Sequence, residues 1–439
     1  MTNFLEMASQ EKRKVAVTGI GLVTPLGNDA PTTWANLQAG KSGAAPTQSF
    51  DASGFSTTFS AEVKGFDPET ALLNPKLLKY ASRSHRFALA AAAEALADAG
   101  IAPTDADSHR WGLAVGAGMM SVGYDDLKVV HDHATDDGVF DPDRLADPEF
   151  PANPVNFCRW QSNAGLGLLT KQFGIRGYAT SVHTACASGG QAVGSALKAM
   201  RRGQCDYMLA GGFDSMINPI GISGFCLLGA LSTDNDNPTG ASRPFDKTRN
   251  GFVLGEGAGF LVLEDWDKAV ARGATIYAEL AGDGNSLSCF RITDSPPDGN
   301  GPIQAIEQAL AGAGIDSNEI DYVNAHGTST QMNDKSECAA LKHVFSGRVD
   351  EVKVSSTKSS MGHLIAAAGA VEAAVCCLAI RDSIAPLNAN YGELDPDCDV
   401  NLVLGKPQPG RIRAALSNSL GFGGSNSSLV FRNPEEVNS

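Results

Sequence analysis

Ala93-Glu-Ala-Leu-Ala-Asp-Ala-Gly-Ile101, a short polar loop, and then Arg110-Trp-Gly-Leu-Ala-Val-Gly-Ala-Gly118 read as an Ala-rich helix stopped on Gly100 and a strand ending in a turn of small residues. Far along the chain the same order returns. Ile306-Glu-Gln-Ala-Leu-Ala-Gly-Ala-Gly-Ile315 is followed by a polar loop and Ile320-Asp-Tyr-Val-Asn-Ala-His-Gly327. Two α/β halves of similar topology explain the recurrence economically. Chance agreement between two Ala-rich helices is the alternative, and the repeat alone leaves it open. On the repeat reading, the strand Tyr207–Gly212 has its counterpart in Asn401–Leu404, after the helix Gly369–Ile380. The seam falls near Arg272–Ala281, behind the strand Gly259–Leu263.

Working back toward the start, Lys14-Val-Ala-Val-Thr-Gly-Ile-Gly-Leu-Val-Thr-Pro-Leu-Gly27 reads as a buried strand running into a Gly-rich turn. Its G-x-G is a weak dinucleotide signal, because the third Gly is misplaced and Pro25 interrupts. No phosphate site is expected there.

Between the two repeats lies Tyr178-Ala-Thr-Ser-Val-His-Thr-Ala-Cys186-Ala-Ser-Gly-Gly190, a short strand and a tight turn before a helix. Cys186 stands at that helix start, where free N–H groups and the positive dipole end favour thiolate over thiol. A buried structural Cys is the plain alternative. In the second half, His326 ends a strand before Gly-Thr-Ser-Thr330, and Val354-Ser-Ser-Thr-Lys358-Ser-Ser-Met-Gly-His363 repeats that design. No H-x-x-x-H or C-x-x-C spacing supports zinc. Strand ends in α/β folds are where sites assemble, so Cys186, His326 and His363 can converge. His183 reads as structural, and His85, His109, His131 and His133 receive no role.

The 439 residues carry 48 Gly, 43% hydrophobic and 19% charged residues, a loop-rich globular profile too long for one ordinary domain. A net charge of −15 gives no reason to expect nucleic acid or an anionic membrane as partner. Nine scattered Cys do not form a disulfide framework and point to a reducing compartment. The polar N-terminus has no signal core, and no apolar run spans a bilayer. A cytoplasmic protein is expected.

Together, Thr-Ala-Cys186-Ala-Ser-Gly, Asn-Ala-His326-Gly-Thr-Ser-Thr, Lys358-x4-His363 and Leu420-Gly-Phe422-Gly-Gly-Ser-Asn426 resemble the β-ketoacyl-[acyl-carrier-protein] synthases of the elongating Cys-His-His class. Leu231-Ser-Thr, Ser242-Arg-Pro-Phe-Asp246 and Gly251-Phe-Val-Leu-Gly-Glu-Gly-Ala-Gly259 match as well, so the likeness runs from about Lys14 to Arg432. It implies the thiolase fold, α/β with two duplicated halves in five layers, α-β-α-β-α. The divisions are an extension 1–13, an N-terminal half 14–272 with the nucleophile, and a C-terminal half 273–439 with both His.

The implied reaction is decarboxylative condensation of an acyl group on Cys186 with malonyl-[acyl-carrier protein], in fatty acid elongation. His326 and His363 would stabilise enolate charge through imidazole Nε2–H. The resemblance further implies an oxyanion hole from the backbone N–H of Cys186 and Phe422. Lys358 and Glu337 would form a supporting ion pair. Met119, Phe225 and Phe422 would line or gate the acyl pocket.

Glu372, on an apolar helical face, would help hold a structural monovalent cation with the Asn324 region, or else form a salt bridge. No catalytic metal and no cofactor is expected beyond the carrier's phosphopantetheine. Lys76, Lys79, Arg83 and Arg86 fall at spacings of three and four, one helix face that can meet an acidic acyl carrier protein. A merely solvated face is the alternative. Relatives commonly place an Arg before the Ala-Leu-Ser-Thr element, where this chain has Leu228-Gly229. Assembly as a homodimer is expected, with a heterodimer of two ketosynthases possible. A ketosynthase of a polyketide or polyene pathway is the runner-up, and a chain-length partner subunit would usually lack the nucleophile. A cysteine hydrolase would need one His oriented by Asp or Asn.

Overall fold

The computed structural model describes residues 13–67, 74–118, 123–151 and 153–437. The extension 1–13 therefore lies outside the described residues except for Arg13, and Met119 lies outside them too. Five strands come from the first half: β1 (Val15–Val23), β2 (Trp111–Ala117), β3 (Ala179–Val182), β4 (Tyr207–Asp214) and β5 (Gly257–Asp265). Five come from the second: β6 (Ala278–Leu287), β7 (Ile320–Asn324), β8 (Lys353–Ser355), β9 (Ala414–Leu420) and β10 (Ser425–Arg432).

Hydrogen bonds join them in the order β8-β7-β9-β10-β6-β1-β5-β4-β2-β3. Counted outward from the centre, β1-β5-β4-β2-β3 matches β6-β10-β9-β7-β8, strand for strand. The senses match as well. β2 is parallel to β3 and β4, β7 is parallel to β8 and β9, and the remaining pairs are antiparallel. The duplication expected from the Ala-rich repeats is thus a topological one.

The layers are built on α1 (Arg83–Ala99), α2 (Ser188–Arg201), α4 (Asn300–Ala313), α5 (Gln331–Val344) and α6 (Ala368–Asp382), while α3 (Pro219–Leu227) packs in the cluster that holds Cys186. α1 packs outside the first half-sheet in a core with Phe87, Leu96, Trp111, Leu209 and Phe260. α4 and α5 cover the second half-sheet through Ile306, Leu310, Leu341, Val323 and Leu416. α2 and α6 share a central core with both half-sheets, including Val193, Leu197, Val375, Leu261 and Leu429. The result is five layers, α-β-α-β-α. α6 is buried from Ala368 to Ile380, which accounts for its being apolar on every face apart from Glu372.

The repeated glycines set the outer layers. A β-carbon on Gly21 would lie 1.9 Å from the Ala91 carbonyl oxygen of α1, and one on Gly284 would lie 1.9 Å from that of Ala305 on α4. The early G-x-G is therefore the seat of a helix on mid-strand, a purpose repeated on β6.

Two sequence expectations fail here. Asn401–Leu404 is not the counterpart of β4, a place taken by β9; it makes only an isolated bridge, Leu402 with Val354, beside β8. The segment is held to the sheet edge by Val354 N–H to Asn401 O (2.9 Å) and Val403 N–H to Val354 O (2.9 Å). Nor do Lys76, Lys79, Arg83 and Arg86 share one helix face. The first two lie on the 3-10 turn Pro75–Tyr80, which ends at extended Ala81, and Ser82 caps a new helix.

Candidate active site

β3 ends at Val182, and the chain tightens into the 3-10 turn Ala185–Ala187 before α2 opens at Ser188. The turn is held by Thr184 N–H to Ser188 Oγ (2.8 Å) and by Ser188 Oγ–H to Ala185 O (2.7 Å). Ala185 takes φ +49°, a left-handed value uncommon for a residue with a β-carbon. That turn sets Cys186 at the helix mouth, where the backbone N–H groups of Phe422 and of Cys186 itself ease ionisation of its sulfur. Ile365 has the same φ, +49°, on the turn Ile365–Ala367 that opens α6. The two central helices thus begin on matching strained turns, one bearing Cys186 and the other following His363.

His363 Nδ1 accepts the Ile365 backbone N–H at 3.2 Å. That fixes the neutral ring as the Nε2–H tautomer, and Nε2 has no partner among the described protein groups. His326 follows β7. Its backbone N–H and that of Gly327 donate to the two carboxylate oxygens of Glu337 on α5, at 2.9 and 2.8 Å. The Asn418 side chain adds a third donor to Glu337, at 3.1 Å. The sulfur of Cys186 and one ring nitrogen from each of His326 and His363 lie within 4.8 Å of one another. The three convergent residues are those read from the sequence.

They face a pocket walled on its apolar side by Phe225, Phe252 and Phe422 and on its polar side by Thr328, Thr330 and Asn333. Thr293, Asp294 and Ser295 line its outer part, where Thr293 is exposed. Phe252, Thr328, Thr330 and Asn333 were not read from the sequence as site residues. Phe252 meets His363 edge to face at 5.1 Å and Phe225 at 5.4 Å, so it braces both the imidazole and the pocket wall. The Gly251-Phe252 pair and the Thr-rich turn after His326 were the signals that could have found them.

Burial dominates the electrostatics. It pushes the Cys186 thiol up to about 12, and the charge of Lys358 and the two N–H donors offset only part of that rise. The expected thiolate is therefore corrected: the resting sulfur is a thiol, because desolvation outweighs the helix end. Both imidazoles are held well below the ordinary value, first by burial and then by the Lys358 charge, so both are neutral near pH 7.

The expected Lys358–Glu337 ion pair is also corrected. Lys358 Nζ bonds Glu372 on α6. Glu337 is occupied by the backbone of the His326 turn. The salt-bridge alternative for Glu372 is thus the one observed, yet its second oxygen, both side-chain polar atoms of Asn324 and the Ser417 hydroxyl are buried without partners among the described residues. Asn324 and Ser417 are register partners on adjacent strands. An oxygen-rich set of orphans next to a carboxylate fits a monovalent cation.

Of the residues read as carrier-binding, Arg83 donates to buried Glu256 at 2.6 and 2.9 Å, while Lys79 lies 5.0 Å from the Tyr80 ring centroid.

The sequence matches the Beta-ketoacyl synthase N-terminal domain over residues 12–269 and the Beta-ketoacyl synthase C-terminal domain over residues 277–392. It is 38% identical over 429 residues to "3-oxoacyl-[acyl-carrier-protein] synthase 2" of Synechocystis sp., covering 97% of this chain and 99% of that one. The ishigamide ketosynthase/chain length factor superposes with a TM-score of 0.86 at 34% identity, covering 96% of this chain and 100% of the other. A ketosynthase bound to the hexaketide and in complex with its type II PKS acyl-carrier protein superposes with a TM-score of 0.86 at 32% identity, over 96% and 99% of the two chains.

Proposed function

This chain belongs to the β-ketoacyl synthase family, and we propose that it is an elongating 3-oxoacyl-[acyl-carrier-protein] synthase acting in fatty acid synthesis. The observation that carries the reading is the convergence of one buried thiol and two neutral imidazoles within 4.8 Å at the base of a pocket.

In the first half-reaction the Cys186 sulfur forms a bond to the acyl carbonyl carbon, the carrier's thioester bond breaks, and the carrier thiol takes the proton. The backbone N–H groups of Cys186 and Phe422, which lie against the sulfur, would receive the oxygen that becomes negative in between. In the second, the bond from the malonyl α-carbon to its carboxylate breaks, carbon dioxide leaves, and the electron pair becomes an enolate. His363 Nε2–H and His326 stabilise that enolate oxygen. The α-carbon attacks the acyl group, the Cys186 sulfur departs as thiolate, and one proton taken from solvent restores the resting thiol. No base strong enough to remove a carbon-bound proton is required, and the reaction needs no cofactor beyond the carrier's phosphopantetheine.

Phe225 and Phe422 serve as acyl wall and gate. Asn324, Glu372 and Ser417 would hold a monovalent cation, which would fix the strand ends bearing the His residues and take no part in the steps above. Fatty acid elongation is supported by curated relatives named 3-oxoacyl-[acyl-carrier-protein] synthase, which match nearly the whole chain at 38% identity. The presence of Cys186 and both His disfavours a chain-length partner subunit.

Two further parts of the reading rest on surface and redox features. Homodimer formation is supported by β3, whose outer edge is unpaired among the described residues a few positions before Cys186, and by exposed Val139, Phe140 and Phe157. All nine Cys are free thiols, which supports a cytoplasmic location. Among the described residues no helix is long and apolar enough to cross a membrane.

The test is covalent. An acyl-carrier donor should add one acyl group, found on the peptide containing Cys186 and absent in Cys186→Ala. An acyl adduct that persists in that variant would refute the assignment.

A further inference from the structure

Two segments that supply pocket-lining residues also carry large exposed apolar side chains. α3 supplies Phe225 to the pocket wall, and within three residues it presents Leu227 and Leu228, which are 86% and 55% exposed. On a second segment Ile292, 81% exposed, directly precedes Thr293 of the pocket lining, and its carbonyl accepts the Gly423 N–H (2.7 Å), next to Phe422. Phe290 is exposed on the same segment, with the Arg291 guanidinium 5.3 Å from its ring centroid. Apolar groups thus emerge from both segments that wall the site. Exposed large apolar side chains on segments that flank a pocket are the kind of surface that meets a partner.

We propose that these residues form a largely apolar docking rim for the acyl carrier protein, engaged around the carrier's prosthetic-group attachment point. The proposal rests on the function given above. A substrate tethered to a carrier reaches Cys186 only if the carrier's surface closes on the segments beside the pocket, and those segments present Leu227, Leu228, Phe290 and Ile292.

Electrostatics is a poor alternative source of affinity. This chain carries −15, so an acidic carrier is repelled at long range, and Arg83, one of the expected carrier-binding cations, is committed to Glu256. Arg291 is left as a cation within the rim, paired at 3.4 Å with Asp294. Apolar contact is short-ranged and little affected by salt, whereas contact between exposed charges is screened over about 8 to 10 Å.

The experiment compares Leu227→Ser/Leu228→Ser with the parent, using an acyl-carrier protein and the same acyl group on free pantetheine as donors. The KM for the carrier donor should rise roughly tenfold, in line with loss of a central apolar contact. The pantetheine donor should acylate Cys186 at the parental rate, and the native mass should not change. Raising the salt should change the parent's carrier KM less than about twofold. Ile292→Ser, on the other segment, should shift the carrier KM in the same direction.

An unchanged carrier KM in both variants would overturn the rim, as would a steep salt dependence in the parent. A fall in native mass would overturn it differently, by assigning the leucines to a second copy of this chain. A parent that neither donor acylates would instead refute the function itself.

Discussion

Lys358 and Glu372 form an ion pair sealed from water, with side chains only 1% and 2% exposed, and the lysine's charge also reaches Cys186, His326 and His363. One ammonium group therefore pairs with one oxygen of a buried carboxylate while making the thiol easier to ionise and the imidazoles harder to protonate. Burial opposes the pair, and it raises the Glu372 carboxyl to about 7 in spite of Lys358.

Removing one partner should be worse than removing both. Lys358→Met leaves Glu372 buried and unpaired, and should lower the unfolding free energy by about 3 to 5 kcal/mol. Lys358→Met/Glu372→Leu should recover most of that loss in chemical denaturation, yet remain nearly inactive in condensation. A single variant as stable as the parent would show that the pair does not hold the layer together.

The raised thiol has a direct pH signature. Because the Cys186 value lies near 12, its thiolate fraction should grow about tenfold per pH unit across the neutral and mildly alkaline range. Iodoacetamide modification of the Cys186 peptide, followed by mass spectrometry, should rise steadily from about pH 7 to pH 9. A plateau near pH 7 would mean a stabilised thiolate, the state the helix start alone suggested.

Glu337 has a quieter role, and a graded series exposes it. Glu337→Ala strands the buried N–H groups of His326 and Gly327, at about 1 to 3 kcal/mol each. Glu337→Gln keeps one acceptor oxygen and should fall between the alanine variant and the parent in both stability and carbon dioxide release. Equal damage in the two variants would mean that charge, and not the seat of the His326 turn, is what Glu337 supplies.

Much of this was legible in the sequence, for identifiable reasons. The two Ala-rich helices ending on Gly100 and Gly314 declare the duplication because the same glycine seats lie beneath them, at Gly21 and Gly284. Cys186, His326 and His363 were legible because each stands on a strand-to-helix turn with small neighbours. The protonation of Cys186 was not legible, since burial comes from layers contributed by both halves. The partner of Lys358 was not legible either. It lies 14 residues on, across a turn whose direction depends on the left-handed Ile365. The supposed basic stripe failed at Ala81, where a helical spacing continued through a segment that is extended.

The central claim is the division of labour between the sulfur and the imidazoles, and one variant separates them. His363→Ala removes the donor whose tautomer is fixed by Ile365, and leaves Cys186 with the N–H groups of its own turn and of Phe422. Loss of one such donor typically costs on the order of 10² to 10³ in rate. Acyl-enzyme mass and labelled carbon dioxide release from malonyl-carrier should be measured on a single preparation. The account predicts near-parental acylation of Cys186 with carbon dioxide release reduced by that factor. Acylation lost as completely as decarboxylation would contradict it, because His363 would then be serving the thiol as well.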